Sequence, residues 1–251
     1  MSLFPFPPGS VALVGAGPGD PGLLTRCALQ ALQEADVVIH DQLISPEILA
    51  LAAPGAVPVA VGKEGFGPST PQAMTNALMV THARAGARVV RLKGGDPAIF
   101  ARLDEEIAAL QAAGIAWQVV PGITAASAAA ASLGQGLTLR GRTPGVRLIT
   151  GHDMTGFAEQ DWRALAAPGA VAAIYMGKRA ARFLQGRLMM HGAAATTPVT
   201  LVENASRPSE RILPATLATL PEAAAQLDGP AILLLGLAPR RAHTDAKEVT
   251  A

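Results

Sequence analysis

Two short, largely apolar runs in this chain, residues 11–14 (Val-Ala-Leu-Val) and 89–92 (Val-Val-Arg-Leu), stop abruptly at glycines that are followed by Asp-Pro. The first continues Gly15-Ala-Gly-Pro-Gly-Asp-Pro21 and the second Lys93-Gly-Gly-Asp-Pro97. Each reads as a buried strand with a glycine edge. A parallel sheet opens its ligand crevice at the carboxyl ends of its strands, so two such edges in one domain point to one shared pocket for a small molecule. The alternative for either loop alone is a tight turn whose backbone needs glycine.

Two phosphate-binding patterns fail here. A dinucleotide fingerprint requires Gly-x-Gly-x-x-Gly; Gly15 and Gly17 fit, but the third position is Asp20. The Gly-Lys pairs run into Glu64 and Arg179, so the Gly-Lys-Ser/Thr phosphate loop is absent as well. A loop with Pro18 and Asp20 offers few amide donors and adds a carboxylate, which suits a cationic or neutral ligand better than a pyrophosphate.

Composition narrows the classes further. With 251 residues, 50% of them hydrophobic, the chain is long enough for a large core divided between two domains. A formal charge of +1 without a basic run, and an aromatic content of 4%, argue against a nucleic-acid partner. Neither a membrane-length apolar run nor a signal-peptide pattern is present, so no membrane partner is expected. The lone Cys27, on a predicted helix, reads as a small core residue and fits a reducing, cytoplasmic compartment. Histidines at 40, 82, 152, 191 and 243 lack ligand spacing, so no metal site is predicted. No Gly-x-Ser-x-Gly elbow offers an acyl-transfer nucleophile.

Along the first 120 residues, strands are predicted at 11–14, 36–39, 57–61, 88–92 and 117–120, with helices near 22–34, 45–53, 71–85 and 104–113. This alternation predicts right-handed β-α-β units and a mostly parallel sheet. Pro121-Gly122 breaks the pattern, placing an N-terminal α/β domain at 1–121 and a C-terminal α/β domain at 122–237. In the second, a helix at 124–133 precedes strands at 146–150, 170–176, 198–203, 210–213 and 230–236, with helices at 179–191 and 221–227 between them. The 198–203 and 210–213 pair has a hairpin-length loop, so that sheet is predicted to be mixed. The tail at 238–251 is polar and aperiodic and is expected to be disordered.

These residues resemble one family. Gly15-Ala-Gly-Pro-Gly-Asp20 with Leu23-Leu-Thr25, then Asp41-Gln-Leu-Ile-Ser45, Val61-Gly-Lys63, Arg91-Leu-Lys-Gly-Gly-Asp-Pro97 and Val119-Val-Pro-Gly-Ile-Thr-Ala125 are similar to motifs of the tetrapyrrole methylases. Thr150-Gly-His152, Tyr175-Met-Gly177 and Val202-Glu-Asn204 extend the resemblance, which is strongest to the branch that C-methylates uroporphyrinogen III. It covers about residues 11 to 235, in the family's order and spacing. It implies a two-domain α/β fold, usually homodimeric, with S-adenosylmethionine in the cleft between domains. It also implies two methyl transfers to ring carbons of uroporphyrinogen III, giving precorrin-1 and then precorrin-2, from which siroheme, cobalamin and haem d1 descend. S-adenosylhomocysteine is the co-product.

Residue by residue, the resemblance assigns the cofactor to Pro18, Gly94, Gly95, Asp96, Ile99, Thr124, Ala125, Met176 and Ala205. Asp96 would accept from a ribose hydroxyl or the cofactor's ammonium. Thr124 reads equally as a helix cap, Met176 after a strand reads as core on pattern alone, and Ala205 stands where the family usually has glycine. Asp41 is implied as proton acceptor and Lys63 as proton donor; without the family they read as a strand-end turn former and a solvated loop lysine. Arg102 and Arg140 are implied to bind substrate carboxylates, with Glu105 as a pyrrole N–H acceptor or arginine orienter.

Several positions depart from the family pattern. Gln42 and Glu64 stand where arginines are usual, Pro68 and Leu139 where histidines are usual, and Ala101, Leu103 and Asp104 where glycines are usual. Positive groups are lost opposite a substrate with eight carboxylates, unless Arg142, Arg147 or Arg207 compensates. Two alternatives therefore stand beside the uroporphyrinogen III reaction: a paralogue acting on a later or less carboxylated tetrapyrrole, and a low-turnover protein that binds tetrapyrrole or cofactor.

Overall fold

The computed structural model describes residues 5–62, 70–141, 143, 145–153 and 156–240. Its contacts divide the chain into two compact units, Met1–Ala125 and Ala126–Ala251.

In the first unit, strands β1 (Ser10–Gly15), β2 (Val37–Asp41), β3 (Val57–Val61), β4 (Val89–Lys93) and β5 (Ala116–Val120) form a wholly parallel sheet in the order β3-β2-β4-β1-β5. Helices α1 (Arg26–Glu34), α2 (Pro46–Leu49), α3 (Gln72–Arg84) and α4 (Leu103–Ala112) lie in the crossovers. Alternate strand residues face opposite sides, so two cores form. Ala12, Val14, Val38, Val90 and Leu92 pack with Ala28, Ala31 and Leu32 of α1, while Val11, Leu13, Ile39 and Val89 pack with Met79 of α3 and Leu110 of α4. Each fully buried Val, Leu or Ile contributes about 1.5–3 kcal/mol.

The strand order creates a switch point. From β1 the chain leaves toward β2, and from β4 it leaves past β1 toward β5. Neighbours whose connections depart in opposite directions leave a gap at their carboxyl ends. Both glycine edges stand at that gap.

Capping shortens the first predicted helix. Asp20 caps a 3-10 turn at Pro21–Leu23, accepting from Gly22 N at 2.7 Å, and Thr25 then caps α1, accepting from Ala28 N at 3.2 Å. Two caps in six residues split 22–34 into a turn and a helix. The helix expected at 45–53 likewise shrinks to α2.

Helix α5 (Ala125–Ser132) leads into the second unit. There follow β6 (Arg147–Thr150), a ribbon of β7 (His152–Asp153) and β8 (Gly156–Phe157), α6 (Trp162–Ala166), β9 (Ala172–Tyr175), α7 (Ala181–Met190), β10 (Pro198–Glu203), β11 (Arg211–Thr216), α8 (Leu220–Ala224) and β12 (Ala231–Leu235). The sheet order is β11-β10-β12-β9-β6; the β6–β9 pair is parallel and the other pairs antiparallel, with β10 and β11 forming the expected hairpin. Ile174, Leu201 and Leu233 of the sheet pack against Leu184 and Leu188 of α7 and Leu220 of α8. The ribbon and α6 are absent from the sequence expectation, because two-residue strands and a five-residue helix carry too little periodicity. Cys27 is half-buried and packs at the margin of the α1 core. Among the described residues no helix is long and apolar enough to cross a membrane. Most of the tail, from residue 241, lies outside the described residues.

Candidate functional site

The two glycine edges meet. Gly17 N donates to Gly95 O at 3.1 Å, Gly95 N to Gly17 O at 2.8 Å, and Ala16 N to Lys93 O at 2.8 Å. A Cβ on Gly15 would lie 2.6 Å from Gly122 N and 2.7 Å from Gly95 O, and one on Gly122 would lie 2.2 Å from Gly95 O. Only bare backbone lets the ends of β1, β4 and β5 approach so closely. Gly95 itself has φ +71° and nothing within 4 Å of where its Cβ would stand; Gly94 would meet only the Leu43 Cβ, at 4.0 Å. The β4 edge therefore offers backbone with open space before it.

Both aspartates after the glycines serve backbone amides. Asp96 Oδ2 accepts from Gly122 N at 3.0 Å and Oδ1 from Ala98 N at 2.8 Å, and Ile99 N donates to Asp96 O at 3.1 Å. Any ligand hydroxyl must share the Asp96 carboxylate with these donors. The Asp20 carboxylate is the cap described above, and it stands exposed at the loop. Pro18 is half-buried between Gly17 and Gly19.

Asp41 ends β2 beside this edge with its side chain 34% exposed, and behind it lies a cluster that sequence reasoning missed. Arg91 Nη2 donates to Asp41 Oδ1 at 2.5 Å, Arg91 Nε to Glu106 Oε1 at 2.9 Å, and Lys93 Nζ to Glu106 Oε2 at 2.6 Å. Arg91, Lys93 and Glu106 are all buried. Burial opposes the Arg91 charge, yet the Asp41 and Glu106 carboxylates outweigh it and hold the guanidinium protonated beyond its ordinary range. Burial and the neighbouring Arg91 charge push the Lys93 ammonium below its usual range, with Glu106 offsetting them in part. Removing one member would leave an uncompensated buried charge, at about 3–5 kcal/mol.

Arg102 and Glu105 face solvent. Glu105 accepts from Arg102 Nε at 2.7 Å and Nη2 at 2.6 Å, a bidentate pair in which both side chains are more than half exposed. Both Glu105 oxygens are thus engaged by Arg102. Hydrogen bonds to Glu105 hold the Arg102 pKa above its ordinary value, and the same bonds lower that of Glu105. With Pro97, Phe100, Leu103 and Asp104 the pair lines an open hollow of about 440 Å³.

In the second unit, Met176 is 51% exposed with φ +53°, so the reading of it as core is corrected. Its carbonyl meets His152 Nδ1 at 3.0 Å. Ala205 is buried between Asn204 (φ 50°) and Ser206 (φ 68°). A shared turn braces both places. Lys178 Nζ donates to the carbonyls of Leu227, Asp228 and Gly229 at 3.1, 2.8 and 3.1 Å, Gly229 N donates to buried Glu203 Oε1, and Asn204 N donates to Pro230 O at 2.9 Å. Arg140 is exposed on a turn closed by Leu139 N to Thr143 O at 3.0 Å and Thr143 N to Leu139 O at 2.7 Å. Arg147 pairs with Asp161 at 3.9 Å. Thr124 directly precedes α5, which Ala125 begins. Lys63, Glu64, Pro68 and Arg142 lie outside the described residues.

Backbone strain supplies a pointer independent of motif. Among the described residues the non-glycine positions with positive φ are Phe100, Arg102, Met176, Asn204 and Ser206. Each is a predicted site residue or a near neighbour of one. Such strain costs about 1–3 kcal/mol per residue and collects at functional sites.

A model of the tetrapyrrole (corrin/porphyrin) methylases matches residues 10–221. Siroheme synthase 2 of Aeromonas hydrophila subsp. hydrophila is 48% identical over 228 residues, which cover 91% of this chain and 48% of that protein. The chain thus spans about half the length of the curated relatives it matches. Among solved structures, a uroporphyrin-III C-methyl transferase from Thermus thermophilus complexed with S-adenyl homocysteine is 39% identical, with a TM-score of 0.77 over 90% of this chain and 92% of that one. A cobalt precorrin-4 methyltransferase is 29% identical, with a TM-score of 0.81 over 91% and 95% of the two chains.

Proposed function

Because this chain belongs to the tetrapyrrole (corrin/porphyrin) methylases, we propose that it C-methylates uroporphyrinogen III with S-adenosylmethionine, forming precorrin-1 and then precorrin-2. The observation that carries this choice of substrate is the 39% identity to the Thermus uroporphyrin-III C-methyl transferase over nine-tenths of both chains.

The residues present fit the cofactor. Gly94 and Gly95 leave backbone bare where a side chain would fill open space, and Asp96 keeps lone pairs beside that edge. In this reading Pro18, Gly94, Gly95, Asp96, Ile99, Thr124 and Ala125 of the first unit contact the cofactor, as do Met176 and Ala205 of the second. S-adenosylmethionine supplies an electrophilic sulfonium methyl. Asp41 stabilises positive charge spreading through the methylated pyrrole and takes the proton lost from it, a role worth about 100- to 10,000-fold in rate. Lys63 acts as proton donor. Arg102 and Arg140 bind substrate carboxylates by charge-assisted hydrogen bonds, and Glu105 orients Arg102.

Asp41→Asn tests the assignment, since the amide keeps the shape and loses the basic oxygen. S-adenosylhomocysteine affinity by calorimetry should hold within about twofold while methyl transfer falls by about 100-fold or more. Turnover within twofold of wild type would make Asp41 structural.

A second reading has its own support. Four usual cations are replaced at 42, 64, 68 and 139, and the Arg102 charge is already matched by Glu105. A less carboxylated tetrapyrrole needs fewer cations. Under that reading, restoring charge with Gln42→Arg and Glu64→Arg impairs use of the true substrate, whereas under the first it improves use of uroporphyrinogen III.

A further inference from the structure

We propose that Arg91 is a positioning residue for the reaction: its buried guanidinium, fixed by Glu106, holds one oxygen of Asp41 and presents the other outward to the ring proton. The inference rests on Asp41 being the proton acceptor of the proposed function.

The geometry has a direction. Lys93 Nζ and Gln72 Nε2 hold the two oxygens of Glu106, at 2.6 Å to Oε2 and 3.3 Å to Oε1. Glu106 Oε1 in turn takes Arg91 Nε at 2.9 Å, while Arg91 Nη1 donates to Leu92 O at 3.1 Å and reaches Ile39 O at 3.5 Å. With its fork held on the Nε and Nη1 sides, the guanidinium delivers Nη2 to Asp41 Oδ1 at 2.5 Å. No described residue donates to Asp41 Oδ2. Side-chain exposure rises from 0% at Glu106 and 3% at Lys93 through 5% at Arg91 to 34% at Asp41, so the chain of charges runs outward from the interior and ends on the one accessible carboxylate.

Stability alone gives no reason for this arrangement. Two cations and two carboxylates neutralise one another inside the α3 and α4 core, where apolar side chains of equal volume hold a fold at least as well. What the cluster adds is a fixed orientation. A strand-end aspartate without Arg91 turns freely about its side-chain torsions, and a general base must stand within hydrogen-bond reach of its proton. Only arginine reaches Asp41, Glu106 and the strand carbonyls at once, because its donors lie in a rigid fork.

The test uses the full chain with S-adenosylmethionine and uroporphyrinogen III. Arg91→Lys keeps the cluster neutral and loses the fork; Arg91→Met with Glu106→Gln also preserves neutrality, and if that double variant fails to fold, Arg91→Lys carries the comparison. Expected are a fall in kcat of about 10-fold or more with KM and S-adenosylhomocysteine affinity within about twofold, the split that marks a residue positioning the base rather than binding either ligand. In an Asp41→Asn background, adding the Arg91 change should cost less than about twofold more. Losses that multiply in that background, or kcat retained in both variants, overturn the inference while leaving the proposed function intact. If wild type fails to methylate uroporphyrinogen III, or Asp41→Asn turns over normally, the proposed function falls and the inference with it.

Discussion

Gly122→Ala should damage the fold far more than Gly95→Ala, although both glycines stand at one edge and both changes add a single methyl. The Gly122 Cβ would lie 2.2 Å from Gly95 O and 2.9 Å from Gly15 Cα and C, all backbone atoms of paired strand ends. Relief requires β5 to withdraw, which strains the packing by about 1–3 kcal/mol. The charged hydrogen bond from Gly122 N to Asp96 Oδ2 at 3.0 Å is then lost, a further ~1.5–3 kcal/mol. At about 2–4 °C per kcal/mol, Tm should drop by roughly 10 °C. Gly95→Ala meets nothing within 4 Å and bears only the cost of its φ of +71°, about 1–2 kcal/mol and a few degrees, yet its methyl enters the proposed ligand space. In a Trp162→Phe background, fluorescence of Trp117 on β5 follows the first unit, and calorimetry follows S-adenosylhomocysteine binding. Equal Tm losses, or a Gly122→Ala shift below about 2 °C, would refute the close-approach argument.

Two more substitutions probe the proposed ligand contacts. Lys178→Met strips one ammonium from three carbonyls of the 227–229 turn, so stability should fall by about 1–3 kcal/mol in chemical denaturation, and S-adenosylhomocysteine should bind several-fold more weakly. Unchanged affinity would detach that turn from the cofactor. Glu105→Gln loosens the hold on the Arg102 fork, so KM for uroporphyrinogen III should rise by about 3- to 10-fold as the guanidinium loses its orientation toward a substrate carboxylate; an unchanged KM would refute the orienting role.

The parallel sheet and its two glycine edges were legible because each buried strand ends in residues that no strand interior tolerates. The hairpin of β10 and β11 was legible from its loop length. The cluster behind Asp41 was within reach. Arg91 and Lys93 stand two apart on a buried strand and so share a face, and two buried cations demand a carboxylate. Asp104, Glu105 and Glu106 all open α4, and the one that faces inward is the residue four before buried Leu110. Asp20 and Asp96 carry a local role that the motif did not show, because a short acidic side chain after glycine satisfies nearby amides as readily as it meets a ligand. Met176 and Arg102 were opaque for another reason: a left-handed backbone at a non-glycine residue is imposed by its surroundings and leaves no mark in the local pattern. The cofactor role proposed for Ala205 rests on resemblance alone, since a buried alanine looks like core.

The central claim is a reaction, and counting methyl groups tests it most directly. Purified protein, uroporphyrinogen III kept reduced and methyl-labelled S-adenosylmethionine should yield, by mass spectrometry, a singly methylated tetrapyrrole that converts to a doubly methylated one, with two S-adenosylhomocysteine released per ring and both labels on ring carbons. No label on uroporphyrinogen III, together with methylation of a less carboxylated tetrapyrrole under the same conditions, would contradict the account.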